Sequence, residues 1–141
     1  MDFLKPQFEH KACDIFFNTR LNAVQTLWKG YLCEGEEFRT ILNDIIRAMQ
    51  QNSTEIIIAD ARKLKIITFE DQKWIVDSWY PRALQAGFKM EALIISPESY
   101  SEQSIKKIVK SYDDAVVTTL YFSSYEEVEL WFSSENKTAA I

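Results

Sequence analysis

An unbroken apolar run near the middle of the chain constrains the fold more than any other feature. Residues 55–60 read Glu-Ile-Ile-Ile-Ala-Asp, so the apolar positions follow one another without alternation. A strand covered on both faces has this pattern, which is typical of parallel sheets flanked by helices. A basic connection over 61–65 and a long helical pattern over 68–86 follow directly. Because ligands of open α/β sheets usually bind at the carboxyl ends of strands, this stretch also predicts the best candidate site.

The rest of the chain alternates strands and helices around that run. Segments 12–18 and 23–30 each place apolar side chains on one face, and the short turn between them predicts an antiparallel hairpin. Segment 34–51 carries a continuous apolar stripe at helical spacing. Further strands are predicted over 89–96 and 115–122, each followed by a helix. The resulting order, β-β-α-β-α-β-α-β-α, predicts an α/β fold with a mixed, mostly parallel five-stranded sheet and helices packed on it.

The length of 141 residues predicts one domain spanning residues 1–141. Residues 1–11 show no regular pattern and are predicted to be an N-terminal extension. Residues 133–141 are small and polar, and we expect a frayed tail there. Pro81 lies inside the helical pattern over 68–86 and is expected to bend or break it near 78–80.

Charge and hydropathy disfavour several classes of function. The net charge is −5 and the sequence pI is about 4.9, which disfavours nucleic-acid binding and adhesion to an anionic membrane. No apolar stretch approaches the roughly 18 residues that a membrane span needs. The N-terminus lacks the pattern of a secretory signal, so we expect a cytoplasmic protein. Cys13 and Cys33 stand apart from each other and are predicted to be free structural thiols.

No motif in the sequence predicts catalysis or a cofactor. The chain has no nucleophile elbow, no Walker loop and no dinucleotide-binding glycine pattern. His10 is the only histidine and has no ligand partners at metal-binding spacing. Glu34, Glu36 and Glu37 crowd a predicted helix start, where the helix dipole favours negative charge. We therefore expect neither enzymatic activity nor a bound metal.

Three groups of residues resemble one protein family. The first is the strand end Ile58-Ala59-Asp60 with Arg62 and Leu64 behind it, the second is Glu70-Asp71 through Trp74, and the third is the closing pattern from Tyr121 to Trp131-Phe132. Together with the element order, they resemble the STAS superfamily of sulfate transporters and anti-sigma-factor antagonists. The similarity is greater to its SpoIIAA-like branch and covers roughly residues 12–132. The resemblance implies a non-enzymatic domain that binds a partner protein or a small apolar ligand.

The resemblance does not extend to a phosphorylation switch. Anti-sigma-factor antagonists carry a phosphorylatable serine in an Asp-Ser-Ser-Gly-like turn after the third strand. Asp60 matches the aspartate, but Ala61, Arg62 and Lys63 follow it, so the serine and the glycine are missing. Thr68, the nearest hydroxyl, is better explained as a helix cap.

Two binding hypotheses follow from these patterns. In the first, a protein partner is recognised by the end of strand 55–60 and by an aromatic wall on helix 68–86, formed by Trp74, Trp79 and Tyr80. The predicted site residues are Asp60, Arg62, Lys63, Trp74, Trp79 and Arg82. An exposed Trp79 favours the aromatic wall, whereas a fully packed Trp79 rules it out. In the alternative, the protein carries a lipid or a small apolar ligand in a cavity under that helix, lined by Trp74, Ile75, Trp79 and Phe88. The sequence neither supports nor excludes a homodimer.

Overall fold

The fold is built on one mixed sheet of six strands. The computed structural model describes residues 2–139, without the side chains of 135–139. The strands are β1 Leu4–Glu9, β2 Cys13–Asn18, β3 Ala23–Trp28, β4 Ile56–Asp60, β5 Met90–Ile94 and β6 Thr118–Phe122. They are neighbours in the sheet in chain order. The pairs β1–β2 and β2–β3 are antiparallel, whereas β3, β4, β5 and β6 run parallel.

This arrangement confirms an α/β fold with a mixed sheet but corrects the number of strands. The prediction of five strands is wrong, because residues 4–9 form β1 at the edge of the sheet. Pro6 and the weak alternation around it hid this strand in the sequence. An edge strand tolerates proline, since one of its sides makes no ladder hydrogen bonds. The pairing register also shifts between Pro6 and Phe8, which obscures the period of two further.

Helices cover both faces of the sheet. They are α1 Gly35–Asn52, α2 Phe69–Trp74, α3 Tyr80–Gln85, α4 Glu102–Lys110 and α5 Tyr125–Ala139, with a π-helical segment Ile75–Trp79 between α2 and α3. The larger core joins one face of the sheet to α1, α4 and the helical segments 69–85. The smaller core joins the other face to Val128 and Phe132 of α5.

The helical pattern over 68–86 is interrupted, as Pro81 predicts, but the chain stays helical throughout. Thr68 caps the start, since its hydroxyl accepts a hydrogen bond from the Asp71 N–H at 3.1 Å. The Tyr80 N–H donates to the Ile75 carbonyl five residues earlier, which widens one turn into a π-helix. Proline is tolerated at the next position because it stands in the first turn of α3.

The last helix is longer than predicted. The chain is helical from Tyr125 to Ala139, where the sequence predicts a frayed tail from residue 133 onward. Extending an existing helix needs far less free energy than nucleating one, so small polar residues can continue it. Residues 140 and 141 lie outside the described part of the chain.

Candidate functional site

Three loops meet at the edge of the sheet where the parallel strands β3, β4 and β5 end. They span residues 29–34, 61–68 and 95–101, and we call them together the carboxyl edge. The Ala61 N–H donates to the Ile94 carbonyl at 2.9 Å, which joins the second loop to the end of β5. Gly30, at φ +87°, lies with its α-carbon against Lys63, where an added side chain would sit 3.5 Å from the Lys63 carbonyl. The three loops therefore form one continuous surface.

Asp60 and Arg62 form a closed ion pair at the end of β4. The Arg62 Nη2 lies 2.7 Å from the Asp60 Oδ2, and its Nε lies 3.0 Å from Oδ1. The hydrogen bond to Asp60 raises the pKa of Arg62, so the guanidinium stays charged at any physiological pH. Asp60 is buried while nearly half of the Arg62 side chain is exposed. The carboxylate thus fixes the arginine, and the arginine faces solvent.

Lys63 and Lys65 extend the basic character of the same loop. Lys63 is exposed beside Gly30, and no hydrogen bond or ion pair of its ammonium group occurs within the described residues. The Lys65 ammonium lies 4.7 Å from the centre of the Tyr100 ring, a cation–π distance. In the same way, the Lys11 ammonium lies 5.2 Å from the centre of the Tyr31 ring.

Trp74 and Arg82 belong to a second cluster, on the side of the helices. The guanidinium groups of Arg39 and Arg82 lie 5.3 and 5.5 Å from the centre of the Trp74 ring. Arg82 also donates to the Asn43 side chain at 2.9 Å, which ties α3 to α1. Asp71 accepts hydrogen bonds from the Gly35 N–H at 2.8 Å and from Arg39, so this cluster adjoins the carboxyl edge at the start of α1.

The predicted aromatic wall is wrong for Trp79. The side chain is only 3% exposed and its indole N–H donates to the Leu42 carbonyl at 2.7 Å, inside the larger core. Tyr80 stacks on Tyr112 with ring centres 4.2 Å apart, so it does not continue a wall with Trp74 either. The α-helical spacing of the sequence could not predict the position of Trp79, because the π-helical turn rotates the side chains that follow it to a different face of the helix.

The structure thus separates the six predicted residues into three places. Asp60, Arg62 and Lys63 meet at the carboxyl edge, and Trp74 and Arg82 pair on the helices beside it. Trp79 belongs to the interior.

The exposed apolar residues of the carboxyl edge were not predicted from the sequence. Of the nine large hydrophobic side chains that are exposed in the described residues, five lie in its loops or directly after them. We call them the edge hydrophobics: Tyr31, Leu32, Ile66, Phe69 and Tyr100. Leu32 and Phe69 are 70% and 75% exposed. The available signal was the placement of large apolar residues inside predicted loops, which composition alone does not reveal.

A cavity of about 90 Å³ lies in the larger core, between the sheet and the helices that cover it. Ile75 and Trp79 of the π-helical segment line it, together with Leu93 of β5 and Ile108 of α4. Trp74 and Phe88, which the sequence placed in such a cavity, do not. Drug-sized ligands occupy pockets of roughly 300 Å³ or more, so the cavity is too small for a whole lipid.

Glu91 is the second feature that sequence reasoning missed. It lies in β5, lines the cavity and is only 8% exposed. Burial raises the pKa of its carboxyl group from 4.5 to about 7. Within the part of the chain that the structure describes, its carboxyl oxygens receive no hydrogen bond. The signal in the sequence was an acidic residue inside the otherwise apolar strand 90–94.

The described residues contain no group of three or more histidine, cysteine or acidic side chains placed to hold a metal ion. Cys13 and Cys33 are both buried and free, and burial raises the pKa of the Cys33 thiol to about 11. Across residues 2–139, no helix combines the length and the apolar character that crossing a membrane requires.

Comparison of the chain with protein-family models, with curated proteins and with solved structures finds no match. The STAS resemblance therefore stays a prediction from the sequence, and any function has to be argued from the geometry of the carboxyl edge and of the cavity.

Proposed function

We propose that this chain is a cytoplasmic, non-enzymatic binding module with a STAS-like, SpoIIAA-like fold, which recognises a protein partner through the carboxyl edge. The observation that carries the proposal is the concentration of the edge hydrophobics on three neighbouring loops. Single exposed apolar residues are normal on any protein. A group of them at one end of a sheet marks an interaction surface, because covering such a patch releases water and lowers the free energy of the system.

The composition of the surface supports a protein partner. Two tyrosines and a phenylalanine stand among the edge hydrophobics, and Arg62 stands beside them, and these are the residue types enriched in protein interfaces. Asp60 holds Arg62 with two hydrogen bonds, so the arginine is already ordered before a partner arrives. Binding therefore costs less side-chain entropy at this position than at a free arginine.

The charges around the edge favour a protein over an anionic membrane. Lys11, Lys63 and Lys65 supply positive charge beside the apolar residues. The starts of α1 and α2 supply exposed negative charge at Glu36 and Glu70 in the same neighbourhood. An anionic membrane surface would be repelled by the acidic residues around the edge, whereas a protein surface can match both signs. We therefore infer a partner with an apolar centre and acidic and basic groups around it.

The experiment that tests the proposal is capture from a lysate of the source organism, with matched variants. The immobilised protein, the double variant Leu32→Ser/Phe69→Ser and the single variant Leu130→Ser are compared by quantitative mass spectrometry. Leu130 is 69% exposed, close to the 70% of Leu32, but it lies on α5, which covers the smaller core. It therefore controls for the general loss of an exposed apolar side chain.

The proposal predicts one protein that the wild type and Leu130→Ser recover in equal amount and that the double variant recovers at least tenfold less. Equal recovery by all three forms contradicts it. Recovery of untagged copies of the same chain would replace the partner by a homodimer. Sedimentation of the protein with anionic phospholipid vesicles, lost in the double variant, would show that the edge binds a membrane instead.

A further inference from the structure

The interior of the larger core contains a polar group that folding alone does not explain. Glu91 projects from β5 into a cavity whose other walls are almost entirely apolar. An ionisable group that is buried without a hydrogen-bonding partner destabilises a protein, and such groups are rare unless a bound molecule supplies the partner. The cavity provides space for such a molecule.

Two hydroxyl groups near Glu91 are fully buried without hydrogen-bonding partners among the described residues. One belongs to Thr26, a residue that lines the cavity, and the other to Thr119, which stands beside Glu91 in the register of β6. Thr26 and Glu91 stand on strands separated by β4. They therefore lie on either side of the sheet surface of the cavity, to which Ile57, Ala59 and Leu93 also contribute.

We propose that the cavity is a binding site for a small aliphatic molecule whose head group donates a hydrogen bond to the Glu91 carboxyl group. The apolar walls accept the aliphatic part, and the carboxyl oxygens accept the donor. Loop 61–68 contributes Ala61, Leu64 and Ile67 to the wall of the cavity, but none of the edge hydrophobics lines it. This inference neither needs the proposed function nor fails with it.

The volume limits the size of the molecule. A cavity of about 150 Å³ binds benzene, so the 90 Å³ found here accommodates about four non-hydrogen atoms by proportion. A lipid is excluded unless only one end of it enters. The donor head group can be an ammonium or a hydroxyl group, and both chemistries satisfy the same carboxyl oxygens.

The protonation state of Glu91 selects among such molecules. The titratable groups whose pKa values Glu91 itself raises are the phenols of Tyr112 and Tyr121, whereas burial is what raises the pKa of Glu91. Burial raises the pKa of both phenols, so they stay neutral at pH 8.5 and below. Glu91 is therefore the group that changes charge in the cavity as the pH is raised from 5.5 to 8.5. When ionised it only accepts hydrogen bonds, and when protonated it also donates one.

Three probes of four non-hydrogen atoms separate these cases. 2-Propanol carries a neutral donor, isopropylamine a charged donor, and acetone only an acceptor. Each is titrated into the protein at pH 8.5 while the methyl signals of Ile57, Leu93 and Ile108 are followed by NMR. We expect saturable shifts with 2-propanol or isopropylamine and at least tenfold weaker binding of acetone. Whichever donor binds more tightly identifies the head group.

Two variants test the roles of the Glu91 carboxyl group and of the cavity volume. Glu91→Gln keeps the shape of the side chain but not the charge, and it should reduce the preference for the donor over acetone at least tenfold. Ala59→Val fills part of the cavity and should abolish saturable shifts while the protein stays folded. Shifts that do not saturate with any probe, or equal binding of all three probes to the wild type, overturn the proposal, because then Glu91 selects nothing.

Discussion

The carboxyl edge and the cavity each contain side chains that do not suit their surroundings. The edge exposes apolar side chains to water, whereas the cavity holds an acidic side chain in an apolar interior. At the edge, the carboxylate of Asp60 is fully paired with Arg62, while large apolar side chains such as Leu32 and Phe69 face water. In the cavity, the walls are apolar and well buried, while the carboxyl group of Glu91 has no hydrogen-bonding partner in the described structure.

The comparison shows that the stability of the fold does not explain the residues found in either region. Exposed apolar groups and buried unpaired acids each reduce the free energy of unfolding relative to a polar loop or an apolar strand. Natural sequences depart from local consistency mainly at functional positions. At the edge, a large partner surface would cover the exposed apolar side chains. In the cavity, a small molecule would give the carboxyl group a hydrogen bond. The two regions therefore support two separate binding functions.

The largest expected effect separates an interior aromatic residue from one at the surface. Trp79→Ala should lower the free energy of unfolding by about 4 kcal/mol, because it removes a buried indole and leaves the Leu42 carbonyl unpaired. Trp74→Ala should cost less, about 1 to 2 kcal/mol, since the ring is half-buried, packs only against the outside of the larger core and contacts two guanidinium groups. Urea titration followed by circular dichroism measures both. Similar losses in the two variants would contradict the assignment of Trp79 to the core.

The next effect sharpens the account of the cavity through pH. Burial raises the pKa of Glu91 in the folded protein to about 7, so the folded state holds its proton longer than the unfolded chain does. The stability that the protonated Glu91 contributes is then fully present below about pH 4.5 and is lost progressively as the pH rises to about 7. Between pH 4 and pH 8 this loss amounts to about 3 kcal/mol.

Glu91→Gln removes that dependence, because the amide does not titrate. The stability of the variant relative to the wild type should therefore increase by about 3 kcal/mol from pH 4 to pH 8. Urea titrations of both proteins at a series of pH values measure the difference, and all other titrating groups cancel in it. A difference that stays constant with pH would show that Glu91 is hydrated or paired in solution.

A smaller effect tests the ion pair at the edge. Arg62→Ala should lower the free energy of unfolding by about 1 kcal/mol, because the buried Asp60 carboxylate loses two side-chain hydrogen bonds and keeps only the one from the backbone N–H of residue 62. Lys63→Ala, one residue further on, should change it by less than about 0.5 kcal/mol, since the ammonium group is exposed and makes no ion pair within the described residues. Chemical unfolding at low and high salt measures both variants, and equal effects would contradict the pairing.

The smallest effect concerns the edge hydrophobics themselves. Leu32→Ser and Phe69→Ser should each change the free energy of unfolding by less than about 0.5 kcal/mol, as should the control Leu130→Ser. Thermal unfolding scans of the three variants measure this. A loss above about 2 kcal/mol at Leu32 or Phe69 would show that the side chain packs in the fold and is not available to a partner.

The sequence predicted the parts of the fold that depend on local pattern. The hairpin of β2 and β3, the buried strand β4 and the interruption near Pro81 each follow from spacing within a few residues. The strand β1 did not, because an edge strand with a proline and a bulge lacks a clear period. Its existence depends on pairing with β2, which a local pattern does not encode.

The site was predicted less completely than the fold, for a related reason. Asp60, Arg62 and Lys63 could be placed because they follow a recognisable strand. The exposure of Leu32 and Phe69 could not, since apolar residues in loops are usually buried by some other part of the chain. Which residues remain uncovered is decided by the packing of the whole fold, and so is the space around Glu91.

The measurement that tests the central claim most directly is site-specific photo-crosslinking in the source organism. A photoreactive phenylalanine analogue replaces Phe69 at the carboxyl edge in one strain and Leu130 on α5 in another. We predict one protein adduct, formed on irradiation from position 69 and absent from position 130. Adducts of equal yield at both positions, or lipid adducts alone at position 69, would contradict the claim that the carboxyl edge binds a protein partner.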